Sequence, residues 1–171
     1  MNALSNETKL KIEKTIKNLK ANKMDAYYCD NKEDACNLVK TLIKKGDVIS
    51  SGGSVTLKET GVYDIITSSD YKYLDRAAEG ITPEEVEEVY HKTFSSDVYF
   101  ASSNAITENG ELYNVDGNSN RVAAILYGPK SVILVCGYNK IVKNIDEAID
   151  RVKRIAAPSN TIRLNIETPC G

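Results

Sequence analysis

The sequence predicts an α/β fold with an open, largely parallel sheet, helices on both of its faces and an antiparallel hairpin. Helical patterns alternate along the chain with short, continuously apolar strands, which favours parallel strands joined by helical crossovers. The Asn-Gly step at 109–110, between two strand-like segments, predicts the hairpin. A chain of 171 residues suits one domain, which we predict to cover residues 1–171.

Each predicted element depends on its apolar period, and its ends depend on caps and turn residues. In chain order we predict a helix at 5–22, a strand at 25–29, a helix between Asp30 and Gly46, a strand at 47–50, a short helix at 56–60, a strand at 71–75, a helix at 83–94, a strand at 97–106, a hairpin at 104–115, a short helix from 118, a strand at 131–136 and a helix at 144–156. Thr82, Pro83 and Glu85 form the clearest helix start, because they supply an N-cap, a first-turn proline and a capping box.

Residues 131–136, SVILVC, form a continuous apolar run that is typical of a strand covered on both faces. Cys136 ends this run, so we expect it to be a buried and inert thiol.

Charge, hydropathy and cysteine content exclude several classes of partner. The net charge of −2 gives no basic excess for binding nucleic acid, and the longest apolar run is far shorter than a membrane span. The N-terminus has no apolar core of the kind that a signal peptide needs. The cysteines are Cys29, Cys36, Cys136 and Cys170. They form no CxxC pair, so we expect reduced thiols in a cytoplasmic protein, with no metal site and no cofactor.

The segment Ser51-Gly52-Gly53-Ser54 joins a predicted strand to a predicted helix. Its glycines allow a sharp turn and a close backbone approach, and the helix start offers unpaired N–H groups that suit a phosphate or a carboxylate. The alternative is a tight connection in which Ser54 is simply the N-cap.

Residues 104–124 contain the predicted hairpin and then a short helix. A two-residue Asn-Gly turn would pair Ile106 with Tyr113 and Asn104 with Val115. Asn104 and Asn114 would then lie on opposite faces, so only one of them would reach a ligand.

Arg121 falls in the first turn of the predicted short helix, where a cation opposes the helix dipole. An anion must compensate it. Two candidates remain open at this stage: a bound ligand, and the nearby Asp116.

Several segments together resemble one known family. They are SSGGSVTLKETG at 50–61, LDR at 74–76, the long block at 102–142, and the closing AAPSNTIRL and TPC. In this order they resemble the lactate-utilisation (LUD) domain family, also called the YkgG family, over nearly the whole chain.

The resemblance implies a fold related to sugar-phosphate isomerases and CoA transferases. Some members are encoded with iron–sulfur partner proteins and support the oxidation of L-lactate to pyruvate, whereas others stand alone. Two functions therefore remain open: an enzyme of isomerase or acyl-transfer type, and a non-catalytic subunit that docks on iron–sulfur partners. A homo-oligomer is compatible with both.

No residue is assigned a catalytic role from the sequence. Glu108 lies in a segment similar to the one in which CoA transferases place a nucleophilic glutamate, but the hairpin turn alone explains this segment, so we favour an exposed residue that flanks the turn. His91, the only histidine, falls on a charged helix where solvation is expected. Lys140 is either a ligand-neutralising cation or a surface lysine.

We expect the chain to bind a small anionic metabolite, such as a carboxylate, a phosphate or a CoA-type thioester. The predicted ligand-binding residues are Ser51, Gly52, Gly53, Ser54, Thr56, Asn104, Asn120, Arg121 and Lys140.

Overall fold

The computed structural model describes residues 4–165, which divide into two compact units. Of the described residues, the first unit contains 4–28, 103–115 and 137–165, and the second contains 29–102 and 116–136. The helices are α1 (Asn6–Ala21), α2 (Lys32–Leu42), α3 (Val55–Thr60), α4 (Val62–Ile66), α5 (Pro83–Thr93), α6 (Asn120–Leu126), α7 (Ile145–Arg151) and α8 (Ala157–Leu164). The strands are β1 (Val48–Ser51), β2 (Lys72–Tyr73), β3 (Val98–Ala101), β4 (Ala105–Thr107), β5 (Leu112–Tyr113), β6 (Ser131–Leu134) and β7 (Ile141–Val142). None of the described helices has the length and apolar character needed to cross a membrane.

The second unit is built on a four-stranded sheet in the order β2-β1-β3-β6, with every neighbouring pair parallel. Successive side chains of a strand point to opposite faces. Val98 and Phe100 therefore face one core, which they share with Leu57 of α3 and Val62 of α4. Helices thus cover this face of the sheet.

The other face of the same sheet carries a second apolar cluster. Tyr99 and Ala101 of β3 pack there with Ala124 of α6 and with Phe94, which follows α5. The predicted α/β class, with a parallel sheet between helices, is confirmed.

The first unit contains α1, α7, α8 and a three-stranded sheet in the order β5-β4-β7. Its β4–β5 pair is the predicted antiparallel hairpin, and β4 pairs with β7 in parallel. The hairpin loop is fastened to α1, because the Asn18 amide donates to the Glu108 carbonyl at 2.7 Å. Lys14 of α1 lies 2.9 Å from the Glu108 carboxylate, whose side chain is only 17% exposed. Glu108 thus anchors the hairpin loop to α1.

The predicted register of the hairpin was wrong by one residue. Ala105 pairs with Tyr113, because the loop has three residues and Gly110 alone supplies the left-handed conformation at φ 84°. Asn104 then comes opposite Asn114, and each amide oxygen accepts a backbone N–H of the other strand, from Val115 and Asn104 respectively. The prediction that these asparagines face opposite sides was therefore also wrong.

Three predicted strands need correction. Residues 25–29 pair with no described strand, and the tyrosines there are 55% and 45% exposed, so β-propensity without a partner did not form a strand. The segment 97–106 forms two strands in different sheets, β3 and β4. The strand predicted at 131–136 ends at Leu134 and lies at a sheet edge, so it is half-buried rather than covered. Cys136 lies beyond the strand and is only partly buried, so the prediction of a buried thiol was wrong.

Three helix ends also differ from the predicted ones. Asn31, rather than Asp30, caps α2 by accepting from the Asp34 N–H at 2.9 Å. Gly46 belongs to a separate turn instead of ending that helix. The last helix extends past 156 to Leu164 through a π-helical stretch, because Pro158 lies in the first turn of α8, where its missing N–H costs least. Cys170 lies outside the described residues.

Replacing Gly110 with alanine should destabilise the protein by about 3 kcal/mol. Its φ is 84°, and an added Cβ would lie 2.7 Å from the α1 backbone at Asn18 and Leu19. Gly46→Ala is the matched control, because Gly46 has a φ of 89° but no atom within 4 Å of the added Cβ. Urea unfolding should show a clearly larger loss for Gly110→Ala; equal losses would contradict the packing argument.

Candidate functional site

At the centre of the parallel sheet, the helices that pack beside two neighbouring strands lie on opposite faces of the sheet. After β1 the chain enters α3 on the Phe100 face, whereas α6 packs on the Tyr99 face, against β3. β1 and β3 are neighbours, so a crevice forms beyond their carboxyl ends. Open α/β sheets place their ligand sites at such a crevice.

A small polar cavity of about 10 Å³ lies in this unit, with room for about one water molecule. It is lined by Ser50, Ser51, Arg76, Tyr90, Thr93, Tyr99 and Asn120. The lining combines the end of β1, a strand position in β3, helix α5, the segment after β2 and the first residue of α6. Five separate parts of the second unit thus supply one cavity.

Several of the lining hydroxyl groups already have hydrogen-bond partners within the protein. The Ser50 and Thr93 hydroxyls lie 2.7 Å apart, and Thr93 also donates to the Val89 carbonyl at 2.9 Å. The Ser51 hydroxyl lies 2.7 Å from the Tyr73 hydroxyl. These groups form the satisfied wall of the cavity.

Arg76 contributes a guanidinium group with unused donors. Its Nη1 donates to the Tyr90 hydroxyl over 3.4 Å, and its guanidinium carbon lies 5.7 Å from the centre of the Tyr90 ring. Within residues 4–165 no carboxylate lies at ion-pair distance from Arg76. Since a guanidinium carries five donors, most of them remain available to a ligand.

Tyr99 and Asn120 also present polar groups to the cavity. Tyr99 is 3% exposed, yet its hydroxyl makes no hydrogen bond to any other described residue, and the same holds for the Asn120 amide. No side-chain polar atom of the described residues is both fully buried and unpaired, so the Tyr99 hydroxyl borders accessible space. Arg76, Tyr99 and Asn120, here called the open groups, therefore converge on one small cavity.

The Tyr99 hydroxyl is held in its neutral form. Burial raises its pKa to about 12, although the positive charges of Arg76 and Arg121 act in the opposite direction. A protonated hydroxyl can donate a hydrogen bond to an anion at neutral pH.

The anion that compensates Arg121 is Asp116. Its carboxylate accepts from Arg121 Nε at 2.8 Å and lies 2.7 Å from Nη2, and the two side chains are only 14% and 9% exposed. Asp116 also accepts from the Val122 N–H at 2.7 Å, and Arg121 Nη1 donates to the Ser102 carbonyl at 3.0 Å. The sequence left open whether a bound ligand or Asp116 compensates Arg121, and the structure shows Asp116 paired with it.

Gly52 is required by close packing. Its φ is not positive, but an added Cβ would lie 2.9 Å from the Tyr99 hydroxyl and 3.1 Å from Arg121 Cδ. The glycine turn therefore packs against the start of α6, with Gly52 against the Arg121 side chain.

The remaining predicted residues have different positions. Ser54 caps α3 by accepting from the Leu57 N–H at 3.3 Å, which is the role of N-cap that the sequence analysis gave as the alternative. Gly53 is exposed in the turn, and Thr56 lies in α3. Asn104 and Lys140 belong to the first unit. His91 is 75% exposed beside Glu87, so its predicted solvation is confirmed.

Sequence reasoning missed Arg76, Tyr90 and Tyr99. Arg76 ends the LDR segment on which the family resemblance partly rests, so a signal for it was present. The tyrosines carry no comparable signal, because only the sheet order places them beside the carboxyl end of β1.

The fold and the cavity define an α/β protein with a polar site beside the carboxyl ends of parallel strands. The sequence matches the family model described as LUD domain over residues 12–171, so the chain belongs to the LUD domain family. The family takes its name from lactate utilisation. Comparison with the curated proteins found no match, and comparison with the solved structures found none. The relation to sugar-phosphate isomerases and CoA transferases therefore stays a prediction.

Arg121→Ala should destabilise the fold by about 3 kcal/mol, because it leaves the poorly exposed Asp116 carboxylate without its cation. Lys130→Ala is the control, since Lys130 pairs with Asp97 at 2.7 Å but is 77% exposed, and it should change stability little. The measurement is urea unfolding of each variant. Equal effects of the two substitutions would show that the burial of the Asp116 pair contributes nothing.

Alkaline pH should destabilise the protein through Tyr73 and Tyr99. Burial raises the pKa of each hydroxyl from 10.0 to about 12. Their stabilising contribution is therefore complete below pH 10 and is lost as the pH rises toward 12, because only the unfolded chain then releases these protons. Tyr99→Phe should reduce the loss of stability between about pH 9 and about pH 11, measured by urea unfolding, whereas Tyr127→Phe, at an 85% exposed position, should not. An identical loss in both variants would refute this assignment.

Proposed function

We propose that the second unit binds a small anionic metabolite at the cavity formed by Arg76, Tyr99 and Asn120. The observation that carries this proposal is the convergence of three polar side chains on one cavity. Arg76 makes one hydrogen bond of 3.4 Å to Tyr90, and the polar groups of Tyr99 and Asn120 have no hydrogen-bond partner among the described residues. The membership of the LUD domain family supports a ligand from lactate or related organic-acid metabolism.

The open groups suit an anion because each can donate a hydrogen bond. Arg76 supplies a positive charge as well as a planar fork of N–H groups, which pairs with an oxyanion through two parallel hydrogen bonds. Tyr99 and Asn120 add one hydroxyl and one amide donor. A neutral ligand would leave the guanidinium charge without a counterion in a half-buried position.

A single water molecule is the alternative occupant, since the cavity has a volume of about 10 Å³. Water would satisfy the hydroxyl and the amide but would not neutralise Arg76. Only the terminal oxygen of a ligand has to enter the cavity, and the rest of the molecule can remain outside it. The two occupants differ in whether the charge of Arg76 matters.

The proposal concerns binding. It holds both for an enzyme of isomerase or acyl-transfer type and for a non-catalytic subunit that docks on iron–sulfur partners. A cytoplasmic site of action would suit either one.

Thermal unfolding with lactate, acetate, inorganic phosphate, sugar phosphates, CoA and acyl-CoA tests the proposal. A ligand at a hundredfold excess over its Kd should add about 2.7 kcal/mol of stability. Arg76→Ala should abolish the effect, whereas Arg154→Ala, which removes a 77% exposed arginine, should preserve it. The absence of a stabilising anion, or an effect that survives Arg76→Ala, would refute the proposed site.

Tyr99→Phe gives an independent measure, because it removes one oxygen atom that has no partner among the described residues. The variant should keep the stability of the unliganded protein but bind the anion about fivefold to tenfold more weakly in calorimetric titration. Unchanged affinity would remove Tyr99 from the site.

A further inference from the structure

We infer that this site prefers a singly charged carboxylate to a doubly charged oxyanion, and that Asp116 sets the preference by neutralising Arg121. The inference rests on the proposed anion binding and specifies the charge of the ligand.

The charge of the site favours a monoanion. Arg76 lines the same cavity as Tyr99, and a Cβ on Gly52 would lie 2.9 Å from the Tyr99 hydroxyl and 3.1 Å from Arg121 Cδ, so both cations lie near this hydroxyl. Asp116 is the carboxylate paired with Arg121. Two positive charges and one negative charge leave one net positive charge. Asp75 is next to Arg76 in the chain, but its carboxylate is exposed and accepts from the Ala77 N–H at 2.8 Å. A monoanion therefore balances the site, whereas a dianion would bring in a second charge without a counterion.

The two guanidinium groups differ in how far their hydrogen-bond donors are already used. Arg121 directs Nε and Nη2 to Asp116 and Nη1 to the Ser102 carbonyl. Arg76 makes one hydrogen bond of 3.4 Å to Tyr90. Only Arg76 therefore offers a largely unused planar fork, and such a fork matches the two oxygens of a carboxylate.

The small size of the cavity also favours a carboxylate. A volume of about 10 Å³ admits roughly one oxygen atom of a ligand. A carboxylate held by the fork of Arg76 can present one of its two oxygens to Tyr99 and Asn120, which line the same cavity. A tetrahedral dianion would keep several charged oxygens outside the reach of these donors.

Asp116 sets the preference because it cancels one of two cations that lie near the same hydroxyl. Asp116→Asn removes this negative charge, yet an amide oxygen remains to accept from the Val122 N–H. The net charge of the site would rise by one unit, to a value that suits a dianion.

Calorimetric titration with acetate and with sulfate tests this inference, since acetate is a monoanion and sulfate a dianion near neutral pH. The wild-type protein should bind acetate more tightly than sulfate. Asp116→Asn should shift the ratio of the two affinities toward sulfate by about tenfold or more. Asp97→Asn is the matched control, because Asp97 lies in the same unit and pairs with Lys130 before β3. It should leave the ratio unchanged.

A second variant covers the case in which Asp116→Asn does not fold. Asn120→Lys adds a positive charge at the cavity without touching the Asp116–Arg121 pair, and it should shift the ratio in the same direction. Tighter binding of sulfate than of acetate by the wild-type protein would overturn the inference while leaving anion binding intact. If the wild-type protein binds neither ion, the proposed function is overturned as well. The same holds if Arg76→Ala binds both ions as tightly as the wild-type protein does. An unchanged ratio in a folded Asp116→Asn or Asn120→Lys protein would also overturn the inference.

Discussion

The partly buried ion pair between Arg121 and Asp116 is the interaction on which the second unit depends. The chain leaves this unit after Ser102, forms residues 103–115 of the first unit, and returns at Asp116. Arg121 binds the Ser102 carbonyl and the Asp116 carboxylate, so it fastens the points of exit and return to each other. Closing an excursion of this kind costs chain entropy, which the multiple hydrogen bonds of one guanidinium help to offset.

This fastening also determines the form of the cavity. The Arg121 side chain packs against Gly52. This contact brings together the glycine turn after β1, the Tyr99 hydroxyl and the start of α6. A side chain at position 52 would meet both Tyr99 and Arg121. The glycine therefore serves the close packing of the ion pair, and the polar cavity arises beside that packing.

The sequence predicted the elements with clear periods or caps, as in α1, α5 and the glycine-closed α3. It could not predict the hairpin register, because an Asn-Gly step suits both a two-residue and a three-residue loop. The strand at 25–29 failed because pairing needs a neighbouring strand, which local residues do not encode. Arg76 required the order β2-β1-β3, a property of the folded sheet.

The two arginines differ in what holds them, which separates a contribution to stability from the proposed role in binding. Arg121 has an acid five positions earlier in the chain, so its charge is neutralised within the fold. Arg76 is held by the Tyr90 ring, and an aromatic ring fixes a guanidinium without cancelling its charge. The fold thus stabilises one cation with a carboxylate and positions the other with a neutral group. Within residues 4–165 Arg76 has no carboxylate at ion-pair distance and lies beside the nearly buried Tyr99, and the proposed binding of an anion rests on this unbalanced charge.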